Sequence, residues 1–212
     1  MSQNSQTLPK AKTPLRIGIT GGIGSGKTTV CRIFETLGIP VYYADERAKL
    51  LMTESGLVVS QIKNLFGEEA YLPDGALNRK WIAGIVFQDA SMMEKLNAIV
   101  HPAVQLDGEN WHQQQYNVPY TLKETALLFE IGSEQFFQKT ITVFAPKEIR
   151  LRRTMLRDAQ TEAQVEARMA KQMDDDKKVQ LADYVIVNDG KKLLILQVLH
   201  IHRSLVALFE NS

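Results

Sequence analysis

The sequence predicts an α/β protein: a five-stranded parallel sheet with helices on both faces. Three observations predict it. Five short runs dominated by apolar or β-branched residues recur along the 212 residues. Segments of helical length lie between them, as parallel pairing requires of a crossover connection. The runs are mostly apolar and do not strictly alternate, which suits strands covered on both faces.

The elements follow in order. "LRIGIT", Leu15 to Thr20, is apolar and β-prone, and glycines follow it at once. From Lys27 onward Val30, Ile33, Phe34 and Leu37 recur on one helical face, until Gly38 and Pro40 end the helix. "VYY", Val41 to Tyr43, is the second strand, with Asp45 just past its end and a helix beyond. Residues 54–116 differ in texture, with helical periodicity and almost no strand signal, and are expected to form a helical insertion. Strands resume at Thr121–Phe129, Thr140–Ala145 and Tyr184–Asn188, and a polar helical pair is expected between the last two. "TEAQ" at Thr161–Gln164 fits a capping box there, and the chain closes on a long helix. The core is then 14–53 and 117–212, and residues 1–13 are polar enough to be a loose tail.

Composition narrows the function classes. Apolar residues make up 44% and charged residues 23%, ordinary globular usage, and a net charge of +1 argues against a dedicated nucleic-acid binder. No apolar run approaches membrane-spanning length and no secretory signal leads the chain, so a cytoplasmic location without membrane association is expected. Cys31 is the only cysteine, which excludes an internal disulfide and a Cys-rich metal site, and its helical position suits packing. The oligomeric state is left open.

"GGIGSGKT", Gly21 to Thr28, satisfies G-x-x-x-x-G-K-[ST], the phosphate-binding loop. Backbone N–H groups converge on a phosphate only where no Cβ intrudes, and glycine permits the positive φ this needs. The helix opening at Lys27 adds unpaired N–H groups and the positive end of its dipole. The Lys27 ammonium can reach the β- and γ-phosphates of a nucleoside triphosphate, and the Thr28 hydroxyl can join the Mg2+ coordination sphere. Gly22, Ile23, Gly24, Ser25, Gly26 and Thr29 complete the expected nucleotide contacts. The motif should arise by accident in roughly one chain of this length in a hundred, and here a strand precedes it and a helix follows.

The loop does not name the reaction. No N-K-x-D motif for reading guanine is present; the late strand ends in "VNDGK". "ALLFE", ending at Glu130, keeps open a motor-type ATPase with a strand-end acid. Ligands of open parallel sheets bind beyond the strands' carboxyl ends. Asp45 stands there, and either accepts the proton of an attacking hydroxyl or caps the following helix. "RLRRTMLRD" puts Arg150, Arg153 and Arg157 on one helical face, which is either a solvated basic surface or a lid bringing cations to the transferring phosphoryl group.

Taken together, these segments resemble the dephospho-coenzyme A kinase family. "GITGGIGSGKTTVCRIFETLGIPVYYAD" is similar to its opening, with a G-G-I-G-S-G-K loop and a D-A-D motif ending the second strand. "IVHPAV", "ALLFE", "RRTMLRD" and "ADYVIVNDG" resemble later family segments, in the same order. The resemblance implies a nucleoside monophosphate kinase-like fold, with a helical coenzyme A-binding region at 54–116 and a lid near 150–180. It also implies phosphoryl transfer from ATP to the ribose 3′-hydroxyl of dephospho-coenzyme A. Asp45 matches the second aspartate of D-A-D and takes the role of base, with Lys27, Arg153 and Arg157 as catalytic cations. Lys49, His101 and Glu130 are expected near the acceptor, with His101 alternatively packed at a helix start before Pro102. Tyr43 departs from the family's first aspartate, Lys49 from an arginine and Ala126 from a proline. His200, His202, Trp81 and Trp111 are expected to be structural, the two histidines without partners.

Overall fold

The computed structural model describes residues 12–212. Expectations for residues 1–11 therefore lie outside the described residues, while Lys12 donates to the carbonyls of Phe209 and Glu210.

Five strands form one parallel sheet: β1 (Leu15–Thr20), β2 (Val41–Tyr43), β3 (Tyr120–Glu124), β4 (Lys139–Phe144) and β5 (Tyr184–Val187). Their order is β2-β3-β1-β4-β5. In register, Tyr43 pairs with Glu124 and Glu124 with Ile19, so the carboxyl ends of β2, β3 and β1 make one row.

One face of the sheet is apolar. Ile17, Ile19, Leu122, Ile141, Val143 and Ile186 bury against Val30, Cys31 and Phe34 of α1 (Lys27–Thr36) and Val198, Ile201 and Leu205 of α9 (Leu194–Glu210). Each such side chain is worth about 1.5–3 kcal/mol when fully buried, so this seam anchors the strand ends that carry the site. His202 is not without a partner, since its Nδ1 lies 2.7 Å from the Tyr120 hydroxyl.

The opposite face of β1 and β3 carries Arg16, Thr121, Lys123 and Thr125, and these line a cleft. The strands alternate there after all, because that face is roofed by a cavity and not by a close-packed core. Helices α2 (Ala44–Glu54) and α5 (Ser91–Gln113) form the cleft's other wall, joined by α3 (Gly56–Phe66) and α4 (Arg79–Gln88). Residues 54–116 hold three of these helices, α3, α4 and α5, with one short 3-10 turn and an isolated bridge between Tyr71 and Leu77. Val58, Ile62, Phe66 and Ile82 give that region its own small core.

Three expectations change. The strand foreseen over Thr121–Phe129 stops at Glu124, and Ala126–Gly132 turns back across the sheet end. His101 and Pro102 do not start a helix; they lie inside the 23-residue α5. The polar pair between β4 and β5 is three helices: α6 (Lys147–Asp158), α7 (Glu162–Met169) and α8 (Asp175–Leu181). Thr161 and Gln164 do form the capping box of α7. Among the described residues no helix is long and apolar enough to cross a membrane.

Candidate active site

The glycine loop folds as its composition requires. Gly24 has φ 80°, and a Cβ there would stand 2.4 Å from the Arg150 carbonyl oxygen, so both conformation and space exclude a side chain. Gly26, at φ 93°, precedes α1 without any side-chain cap. The first-turn amides of Lys27, Thr28 and Thr29 are therefore left for a ligand, at the positive end of the helix dipole. The Lys27 ammonium bends back to the Gly21 carbonyl at 3.1 Å and lies 3.5 Å from Glu124 Oε1. Ser25 Oγ and Thr20 Oγ1 are buried beside the loop with no hydrogen-bond partner.

Asn188 just past β5, residues of α6 and α8, and Gln172 between α7 and α8 brace this loop. Asn188 Nδ2 donates to the Ser25 carbonyl at 2.7 Å, and Arg153 donates to the Asn188 carbonyl and side-chain oxygen at 3.2 and 3.3 Å. Arg150 is buried, donates to the Ile23 carbonyl at 3.3 Å and pairs with Asp175 beside Gly22. Gln172 accepts from the Ile23 amide at 2.9 Å. Arg153 thus reaches the loop through Asn188. Arg157 does not reach it: its side chain is 62% exposed and pairs with its neighbour Asp158. Arg150, not singled out for a role from sequence beyond its helical face, makes the direct contact.

Asp45 sits in the first turn of α2, whose cap position is Tyr43, and no side chain caps that helix. The capping alternative for Asp45 therefore falls away. Its carboxylate is exposed, makes no hydrogen bond or ion pair among the described residues, and lines the mouth of the cleft with Ala44, His101 and Thr125. Strand β3 separates it from the glycine loop, so two inter-strand spacings, about 10 Å, lie between the two backbones. That gap accommodates a hydroxyl and a phosphoryl group between carboxylate and loop. Tyr43 points away, packing against the apolar core on the opposite face.

Glu124 ends β3, the strand between Asp45 and the glycine loop. It is 6% exposed, and burial raises its carboxyl above the usual range, opposed by Lys27 and reinforced by Asp45. Sequence reading passed over it because the strand was drawn through to Phe129. The available signal was strand length: five or six residues from Tyr120 end at Glu124, not at Glu130.

Of the other expected residues, His101 lines the cleft near Asp45, and Lys49 stands exposed one turn further along α2, outside the cleft lining. Glu130 lies six residues beyond the end of β3. It accepts from the Met173 amide at 3.0 Å and pairs at 2.7 Å with Lys178, which is fully buried. It ties the turn after β3 to α8. Trp111 also lines the cleft, with its ring 5.5 Å from that of Tyr42, while Trp81 donates to the Phe66 carbonyl.

A phosphate loop facing an unpartnered carboxylate across a strand-end gap is what a kinase needs, and the relatives agree with it. The dephospho-CoA kinase family model matches residues 15–193. The chain belongs to the dephospho-CoA kinase family. The dephospho-CoA kinase of Salinibacter ruber is 42% identical over 176 residues, 82% of this chain and 88% of that protein. The dephospho-CoA kinase of Bacteroides fragilis is 35% identical over 88% of this chain and 91% of its own. Among solved structures, the dephospho-CoA kinase from Campylobacter jejuni is 25% identical and superposes with a TM-score of 0.66, covering 91% of this chain and 97% of that one. A Thermus thermophilus structure is 34% identical with a TM-score of 0.77, covering 94% and 98%.

Proposed function

We propose that the chain performs its family's reaction, transferring the γ-phosphoryl group of ATP to the ribose 3′-hydroxyl of dephospho-coenzyme A to give coenzyme A and ADP, and that it does so in the cytoplasm. The observation carrying this reading is the unpartnered Asp45 carboxylate, which faces the cleft one strand away from the glycine loop.

The geometry supports the following roles. The loop amides and Lys27 hold the β- and γ-phosphates. Asp45 accepts the proton of the 3′-hydroxyl as its oxygen attacks the γ-phosphorus in line. Lys27, held over the strand ends by Gly21 and Glu124, meets the charge that moves toward ADP. Arg150, Arg153 and Asn188 keep the loop in shape, and the helices from α6 to α8, with Arg157 on their outer side, serve as the lid that limits water access.

The residues present fit a Mg2+ ion. Thr28 presents a hydroxyl at the helix start, Glu124 supplies a carboxylate against the neighbouring Lys27, and substrate phosphates complete such sites. When bound, the ion neutralises phosphate charge. The helices of 54–116, His101 and the cleft wall would hold the acceptor, with Lys49 available at its rim.

Purified protein with Mg-ATP and dephospho-coenzyme A should yield ADP and a product carrying a 3′-phosphate. ADP formed at the same rate with and without the acceptor would defeat this reading.

A further inference from the structure

The cleft, about 330 Å3, is floored by charge as well as apolar surface. Arg16, Glu109 and Lys123 line it, while Asp107 and its partner Arg47 meet the lining residue Tyr42. Arg16 binds Glu109 through both terminal nitrogens, one contact at 2.6 Å. Arg47 binds Asp107 bidentately at 2.8 and 2.9 Å, and the Tyr42 hydroxyl donates to the same carboxylate at 2.7 Å. Both carboxylates are thus engaged by arginines. Lys123 is the cation left over, with no hydrogen bond or ion pair among the described residues.

Lys123 is held in place regardless. Its ammonium lies 5.4 Å from the centroid of the Tyr42 ring, and a Cβ added to Gly108 would come within 3.2 Å of it. Burial lowers its pKa, opposed by the charges of Glu109 and Asp107. A half-buried ammonium without an anion is costly unless a ligand supplies one.

A second observation points the same way further along the floor. His112 lines the same cleft and is 5% exposed; its Nδ1 lies 2.8 Å from Thr121 Oγ1, while Nε2 is buried without a partner among the described residues. From Thr125 at the mouth to Thr121 is four strand residues, about 13 Å. Asp45, Lys123 and His112 therefore stand in sequence along one groove.

We infer that Lys123 is the subsite for the acceptor's diphosphate, and that the arm beyond the diphosphate runs along β3 toward the free nitrogen of His112. The inference rests on the acceptor reading above. With the 3′-hydroxyl at Asp45, the diphosphate of such an acceptor lies one sugar ring and one methylene deeper, at the level of Lys123, about two or three strand residues or 7–10 Å from Asp45. Amide groups of the arm can give or take a hydrogen bond, so either tautomer of His112 is satisfied.

The test measures binding and turnover separately. Dephospho-coenzyme A and adenosine, which lacks the diphosphate and the arm, are titrated into the wild-type protein and into Lys123→Met and Lys123→Gln, each saturated with a non-hydrolysable ATP analogue. Both variants should weaken dephospho-coenzyme A by about 10–100-fold, leave adenosine within twofold and KM for ATP unchanged, and not lower the melting temperature. Equal weakening of both ligands, or no weakening of dephospho-coenzyme A, overturns the subsite, as does wild-type protein that binds the two ligands alike. If dephospho-coenzyme A binds through Lys123 but is not phosphorylated, the kinase reading fails and the subsite stands.

Discussion

The Lys27 ammonium lies 3.5 Å from Glu124 Oε1, and that contact joins the phosphate loop to the end of β3. Both groups are mostly buried, with side chains 13% and 8% exposed. The lysine is held over the strand ends before any nucleotide arrives, so it need not be ordered at the moment of transfer. Glu124→Gln keeps the shape but halves the pairing. We expect kcat to fall about 10–100-fold, the worth of a charge-assisted contact, with KM for ATP changed less. Unchanged kcat would remove Glu124 from the machinery.

Asp45 has no structural partner to lose, so Asp45→Asn should leave the melting temperature unaltered. A lost general base costs about 10²–10⁴-fold in kcat, while ATP affinity should stay within twofold. Turnover within a few-fold of the parent enzyme would refute the role given to Asp45.

Gly24→Ala should damage nucleotide binding without touching the acceptor cleft. The new methyl would meet the Arg150 backbone oxygen at 2.4 Å in a backbone at φ 80° that alanine resists. Equilibrium titration should show ATP affinity falling about 5–150-fold, since strain of this kind costs roughly 1–3 kcal/mol. Affinity equal to wild type would mean that the loop shifts freely.

Lys178 and Glu130 form a buried pair, and breaking one half strands the other. Lys178→Met should cost about 3–5 kcal/mol in denaturant unfolding. Adding Glu130→Gln, which retains an acceptor for the Met173 amide, should recover about 1–2 kcal/mol of that loss. Strictly additive losses would show that the two side chains do not interact.

Asp107 ties α5 to α2 and β2 through Arg47 and Tyr42. The Arg47 guanidinium, aided by Tyr42, holds its carboxyl below the usual aspartate range, against the pull of desolvation. A folded-state value below the unfolded one stabilises fully above the unfolded pKa, and that contribution disappears as pH falls through the folded pKa. Asp107→Asn should therefore cost about 1 kcal/mol near neutral pH, a figure reduced for partial exposure, and progressively less below pH 3.8. A cost that stays constant down to strongly acidic pH would contradict this linkage.

The sequence by itself determined the sheet, the glycine loop and the placing of Asp45 just past β2. These are local matters: a short apolar run, a turn that only glycine can make, and a residue's distance from a strand end. Periodicity likewise exposed the helical region and the capping box at Thr161. What periodicity could not supply was where a strand stops when apolar residues continue beyond it. Leu127, Leu128 and Phe129 look like strand, but they turn over the sheet end, with Leu128 and Phe129 buried there. That moved Glu130 away from the strand end and gave its place to Glu124.

Only the tertiary structure decided which charges meet. Arg150 lies 127 residues from the Ile23 carbonyl it holds, and Glu109 lies 93 from Arg16. Nothing local in the chain marks Lys123 as the cation left without a partner, because that depends on which carboxylates its neighbours have already taken. Local propensities fix elements within a few residues, whereas ion pairing and burial are settled by strand order and by the helices packed across it, through contacts the linear chain does not display.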